Sequence, residues 1–191
     1  TGELSAYAAD TGKKLWSFDA RVGIGAQPIT YLAGGKQYIT VLAGWRGTGA
    51  SGLPQEWNYY TQKRRVLTFV LDGDKQLPPS SNEVPPLLDD PTLVVDNAKA
   101  ELGRAVFHRN CHVCHGPNLI AGGAAPDLRR GAMALRKESL AEVLQRGSLV
   151  RRGMPQFEEM PDEEVEGLLH YIRREARAAL AAERARQKAD E

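Results

Sequence analysis

The chain has 191 residues, 42% hydrophobic and 26% charged, with Lys+Arg 25 against Asp+Glu 24 and a formal net charge of +1. That is the composition of a globular chain, and its balance excludes a strongly basic nucleic-acid binder. No apolar run approaches the roughly 20 residues that a bilayer-crossing helix needs, so no membrane span is expected. The two cysteines, Cys111 and Cys114, are too few for a disulfide scaffold and too close together to close more than a very small loop. The chain opens on Thr1 with no initiator Met and no leader, and is read as a fragment.

In chain order, residues 1–76 carry short apolar bursts at Leu4 to Ala8, Lys14 to Phe18, Ile29 to Leu32, Gln37 to Ala43 and Arg65 to Leu71. Thr11-Gly12, Gly34-Gly35 and Asp72-Gly73 punctuate them with turn chemistry, which predicts antiparallel strands. A region this short, interrupted by a Gly-rich excursion from Gly44 to Asn58, would leave strand edges unpaired. It is read as the tail of a larger all-β structure. Residues 77–94, from Leu77-Pro78-Pro79 through Pro85-Pro86 and Pro91, read as a Pro-rich linker of extended backbone.

Helical periodicity follows. Asn97 to Arg109 places Ala98, Leu102, Ala105 and Val106 at helical spacing and runs straight to Cys111. Ser139 to Arg146 is a shorter helix with Leu140, Val143 and Leu144 on one face. A third helix is expected from an Asp162 cap, with Val165, Leu168, Leu169 and Ile172 recurring at three and four residues and acidic residues in its first turn. Residues 95–177 form this helical domain, and 178–191, Ala-rich and charged on all faces, read as a tail in which the helix frays.

Cys111-His112-Val113-Cys114-His115 fits C-x-x-C-H, the attachment pattern of a c-type haem. Two thiols three positions apart add to the two vinyl groups of one porphyrin, and the adjacent imidazole of His115 is carried beneath the ring to the iron. Met154, in Arg151-Arg152-Gly153-Met154-Pro155-Gln156-Phe157, supplies a thioether for the sixth position. Met opposite His raises the potential and fills both axial sites, which favours electron transfer over oxygen chemistry. Met133 and Met160 are rival ligands. Zinc would require a second ligand pair, and a thioredoxin-type motif would open a helix after a strand instead of following a helix. His112 is read as solvent-facing or packing at the haem edge, and His108 and His170 as surface or helix-contact histidines.

On these residues, Asn97 to Arg177 resembles a class I cytochrome c domain: first helix, C-x-x-C-H, a Gly-rich loop ending in Ala125-Pro126-Asp127-Leu128, middle helix, G-M-P-x-F and terminal helix. The resemblance implies that Pro126 and Leu128 pack on the haem near the axial histidine. Ala6-Tyr7-Ala8-Ala9-Asp10-Thr11-Gly12-Lys13-Lys14-Leu15-Trp16 resembles the tryptophan-docking repeat of eight-bladed quinoprotein propellers, with Ala8 where an Asp is usual and Asp10 as the substitute turn acceptor.

Together the two parts resemble the C-terminal portion of the quinohaemoprotein alcohol dehydrogenases. The fold class implied is multidomain, the end of an eight-bladed β-propeller followed by an all-α cytochrome c domain. The family implies pyrroloquinoline quinone and calcium in addition to one covalent haem c, with the catalytic residues on upstream blades of the same chain. Trp45 is expected near the quinone pocket. An external electron acceptor and a periplasmic location are also implied. The alternative is a stand-alone monohaem electron carrier whose β part is a docking module. Charge is segregated: Arg129, Arg130, Arg136, Lys137, Arg146, Arg151 and Arg152 precede a run of acids from Glu158 to Glu166. These bases are expected to neutralise haem propionates or to steer an acidic acceptor.

Overall fold

A computed structural model describes residues 2–44, 59–61, 63–79, 83–120 and 125–189. Among these, the chain divides between Val84 and Pro85 into a β unit and a helical unit.

In the β unit, β1 (Glu3–Tyr7) and β2 (Lys14–Asp19) form an antiparallel hairpin. Strands β3 (Ile29–Ala33), β4 (Lys36–Ala43) and β5 (Arg65–Val70) make a second antiparallel sheet in the order β3-β4-β5. Each apolar burst of the sequence coincides with a strand. The β1–β2 register slips between Ala6 and Tyr7, leaving Trp16 opposite Ala6. The acceptor in this turn is Thr11, whose hydroxyl takes Lys13 N–H at 3.4 Å. Trp16 and Phe18 both meet Phe69 edge-on, with ring centroids 5.1 and 4.9 Å away, the geometry that the ring quadrupoles prefer. Val41, Ala43 and Leu67 bury against Ala20 and Val22, and Leu77 packs on the same cluster. The opposite side of the sheet stays open, with Leu42 57% and Val66 68% exposed. A sheet apolar on both faces has one face in want of a cover.

The helical unit holds α1 (Asn97–Asn110), α2 (His112–His115), α3 (Lys137–Leu144) and α4 (Asp162–Ala189). Asp96 caps α1, its carboxylate accepting from Ala98 N at 2.8 Å and Lys99 N at 3.1 Å. The buried face of α1 is Ala100, Gly103, Val106 and Phe107, and only Val106 belongs to the face that apolar spacing predicts. Leu102 is left 39% exposed. The reason is steric: α1 and α4 cross at Gly103 and Gly167, backbone against backbone, so the contact centres on a residue without a side chain. On α4 the expected face, Val165, Leu168, Leu169 and Ile172, is buried.

Asp162 is the first residue of α4 and not its cap. Its carboxylate instead accepts from Gln145 Nε2 at 3.0 Å, while Glu164 N and Val165 N donate to Pro161 O. The middle helix starts two residues before Ser139 and ends at Leu144. Helix α4 continues unbroken through residues expected to fray.

The Pro-rich stretch read as a linker is largely tied down. From Pro85 to Leu93 it forms a strap on the helical unit. Leu87 is buried, and Leu88 N donates to Arg129 O at 3.0 Å. Arg177 grips Asp89 through Nε at 3.0 Å and the carbonyls of Asp90 and Leu93 through Nη2 at 2.7 Å. Proline blocks regular structure, but it leaves the carbonyls free to accept, and arginines on α4 use them.

Candidate haem site

Helix α1 runs into the cysteine motif without a gap. Cys111 N donates to Phe107 O at 2.8 Å, closing α1, and Cys111 then begins α2, with Cys114 N and His115 N donating to its carbonyl at 3.2 and 3.0 Å. Offsets of three and four residues in one helical turn bring Cys111, Cys114 and His115 to one side. Both thiols are free; Cys111 is buried and Cys114 half-buried. Burial, reinforced by Cys114, pushes the Cys111 thiol up to about 12, so it is protonated at neutral pH.

His115 is buried, and its Nδ1 lies 2.9 Å from Pro126 O. A carbonyl can only accept, so Nδ1 carries the proton and Nε2 keeps its lone pair. Burial lowers the pKa of His115 against the opposing pull of Pro126 O and Asp127, which keeps the ring neutral. A neutral imidazole with one nitrogen fixed by a carbonyl is the form that ligates a metal. Pro126 itself is exposed, and it is its carbonyl that meets the histidine. Leu128 is half-buried against the helical core.

The loop carrying Pro126 is pinned by an ion cluster. The buried Asp127 carboxylate accepts from Arg129 N at 3.0 Å, Arg129 Nε at 2.9 Å and Nη2 at 2.7 Å, and from Arg130 Nε at 3.3 Å. Arg130 also donates to Pro85 O and reaches Glu183 at 3.4 Å. Arg146 pairs with Glu142. With Lys137, which lies 3.5 Å from Glu166 and 3.7 Å from Asp162, four of the bases expected to serve propionates or steering have carboxylate partners. Arg151 and Arg152 stand exposed in the turn before Met154.

Met154 follows Gly153, which takes φ +88, a conformation that a β-carbon would strain. The loop is fastened on its far side by Phe157 N to Leu144 O at 2.7 Å and Gln156 Nε2 to Gln145 O at 2.8 Å. Met154 is half-buried at the edge of the core. Of its rivals, Met160 is sealed in the core at 7% exposure and Met133 is 43% exposed.

Two free thiols, a neutral imidazole whose Nε2 keeps its lone pair and a thioether at the core edge are the donor types that a covalently held haem with two axial ligands would take. Among the described residues no group of three or more His, Cys, Asp or Glu is disposed to hold a bare ion. His112 is half-buried, with its ring centroid 6.0 Å from that of His108. His170 bridges helices: Asp96 N donates to its Nδ1 at 3.0 Å. Trp45 lies outside the described residues. The chain leading to it, with Gly25, Ala26, Leu42, Gly44 and Arg64, lines a cavity of about 520 Å³ in the β unit.

Sequence reasoning missed the Asp127 carboxylate, the Gly103–Gly167 crossing and Arg173 of α4, which is buried and bonded to carbonyls. The signals were an isolated glycine in each of two helical patterns and an acid followed by two arginines.

Residues 98–172 match the family model described as Cytochrome C oxidase, cbb3-type, subunit III. The chain is 36% identical over 176 residues to the quinohaemoprotein alcohol dehydrogenase ADH IIB of Pseudomonas putida, covering 90% of this chain and 25% of that one. The solved structure of ADHIIG from Pseudomonas putida matches with a TM-score of 0.65 and 34% identity, over 92% of this chain and 26% of that one. The quinohaemoprotein alcohol dehydrogenase of Comamonas testosteroni gives 0.63 and 32%, over 93% and 25%. The chain therefore spans about a quarter of the length of the relatives it matches. Residues 98–172 are a cytochrome c domain whose role is electron transfer, and the chain corresponds to the C-terminal portion of the quinohaemoprotein alcohol dehydrogenases.

Proposed function

We propose that the helical unit is the electron exit of a periplasmic quinohaemoprotein alcohol dehydrogenase, with Cys111 and Cys114 as thioether anchors and His115 and Met154 as axial ligands. The observation that carries this reading is the His115 Nδ1 to Pro126 O bond of 2.9 Å, which leaves the Nε2 lone pair available for ligation inside a C-x-x-C-H turn. When bound, haem c supplies one-electron redox chemistry. The protein's part is to fix the imidazole, shield it from water with the α1–α4 core, and hold the Met154 loop through Gly153 and Phe157.

The β unit is read as the end of the eight-bladed propeller, with domains at 1–76 and 95–177 separated by residues 77–94 and followed by a tail at 178–191. The open apolar face of the β3-β4-β5 sheet supports upstream blades as its cover. Catalytic groups, pyrroloquinoline quinone and calcium then belong to those blades, and the cavity beside Gly44 is the part of this unit nearest to Trp45 in the chain. Exposed Arg151 and Arg152 beside Met154 fit a docking face for an acidic acceptor, an effect on association rate that salt would screen.

The test is spectroscopic. The purified holoprotein should keep haem absorbance after denaturation, and Met154→Ala should abolish the weak far-red sulfur-to-iron band of the oxidised form. A denatured sample without covalent haem, or a band that survives in the variant, would refute the assignment.

A further inference from the structure

Arg173 on α4 has none of its surface exposed, and it heads the fully buried side chains by size. Its Nη1 donates to Leu88 O at 2.6 Å and its Nη2 to Leu128 O at 3.3 Å. Its Nε is buried without a partner among the described residues. Asp89 and Asp127 favour the charge, but burial outweighs them and lowers the pKa. A cation held in this way contributes little to stability, since an apolar side chain of like volume is often neutral or better. The guanidinium is explained by what its fork holds.

One prong holds Leu128 O. Leu128 lies two residues after Pro126, whose carbonyl receives the proton-bearing Nδ1 of His115, and Asp127 between them is fixed by Arg129 and Arg130. The other prong holds Leu88 O in the Pro85–Leu93 strap, which is tied to the same loop by Leu88 N to Arg129 O at 3.0 Å and by Arg130 to Pro85 O. The strap, the histidine-supporting loop and α4 therefore share one side chain as their common point.

We propose that Arg173 is a positioning residue for His115: by holding the Leu88 and Leu128 carbonyls together it keeps Pro126 O against Nδ1 and couples the strap to the iron ligand. The inference rests on the assignment of His115 as an axial ligand. A hydrogen bond from the far nitrogen makes an imidazole a stronger donor to the metal; loosening it weakens the donor and stabilises reduced iron. Lysine at 173 retains the charge but has no planar fork to span two carbonyls.

The test uses the full chain with its haem. Arg173→Lys is expected to speed solvent exchange of the His115 Nδ1 proton, read by NMR in the reduced form, and to raise the midpoint potential. A folded R173K in which both stay at the wild-type value overturns the proposal, whatever happens to its melting temperature. If R173K does not fold, Arg130→Lys leaves the buried face of α4 intact and is expected to move both readouts in the same direction; no movement there overturns it equally. His115→Ala separates the two readings. A His115→Ala protein with the native axial-ligand spectrum would refute the ligand assignment, independently of what Arg173 does to the loop.

Discussion

Replacing Gly103 by alanine asks how closely α1 and α4 approach. A β-carbon there would overlap the Gly167 carbonyl and come within 2.7 Å of Leu168 N, where ordinary contact between heavy atoms needs about 3.5 Å. Both obstacles are backbone, so no rotamer change relieves them and the helices must part. Overpacking of this kind destabilises by about 1–3 kcal/mol, and the backbone clash places Gly103→Ala at the upper end. Helix propensity works the other way, by about 1 kcal/mol in favour of alanine, which leaves a net loss of about 2 kcal/mol. For a domain of this size that lowers Tm by roughly 8–16 °C. Gly167→Ala is a milder test on the facing helix, because its β-carbon would meet Gly103 N at 3.0 Å and Lys99 O at 3.1 Å, distances that a shift of a few tenths of an ångström relieves. Thermal melts of the two holoprotein variants should rank Gly103→Ala well below Gly167→Ala, itself at or slightly below wild type. A Gly103→Ala protein more stable than wild type would mean that propensity alone decides the position and that the close crossing is not there.

Three further outcomes follow from neighbouring sites. Met160→Ala should preserve the far-red band that Met154→Ala abolishes, yet lower stability by about 2–5 kcal/mol because Met160 is buried in the core; loss of the band would make Met160 the ligand. Asp127→Ala should lower stability by about 3 kcal/mol, since it strands Arg129 and Arg130 beside a buried loop, and a denaturant midpoint equal to wild type would show those arginines reaching water instead. His170 accepts the Asp96 N–H only when neutral. Burial, with help from Lys99, holds its pKa below the usual histidine value against Glu166 and Asp96. The unfolded chain therefore takes up the proton first as pH falls below about 6.5, and stability that is full above that value is lost as pH drops through the folded pKa. The Tm of wild type should fall between about pH 7 and pH 5 more steeply than that of His170→Gln; equal slopes would contradict the linkage.

The parts of the molecule that were readable from residues alone are those that a local pattern dictates. Five strands declare themselves as apolar bursts between turns, and α4 by Val165, Leu168, Leu169 and Ile172. The C-x-x-C-H turn is legible because its chemistry lies within five consecutive residues, Cys111 to His115. The face of α1 was not, because Gly103 contributes to packing by what it lacks, and hydropathy cannot register that. Nor was the strap: prolines announce the absence of regular structure, whereas the bonds that hold it run from Arg173 and Arg177 to backbone carbonyls far back in the chain. Such partners carry no side-chain signature. Asp162 shows the converse, a residue suited to capping that is drawn instead to Gln145 across the loop.

The strap also sets where the cytochrome module can be cut. A chain begun at Asp96, the cap of α1, would keep every helix together with Cys111, Cys114, His115 and Met154, yet it would leave Arg173 without its shorter bond and Arg177 without Asp89, Asp90 and Leu93. Begun at Pro85, the same module carries these acceptors with it. Portability of this electron carrier, by gene fusion or by recombination between relatives, therefore depends on a proline-rich segment that would ordinarily be trimmed away as connector.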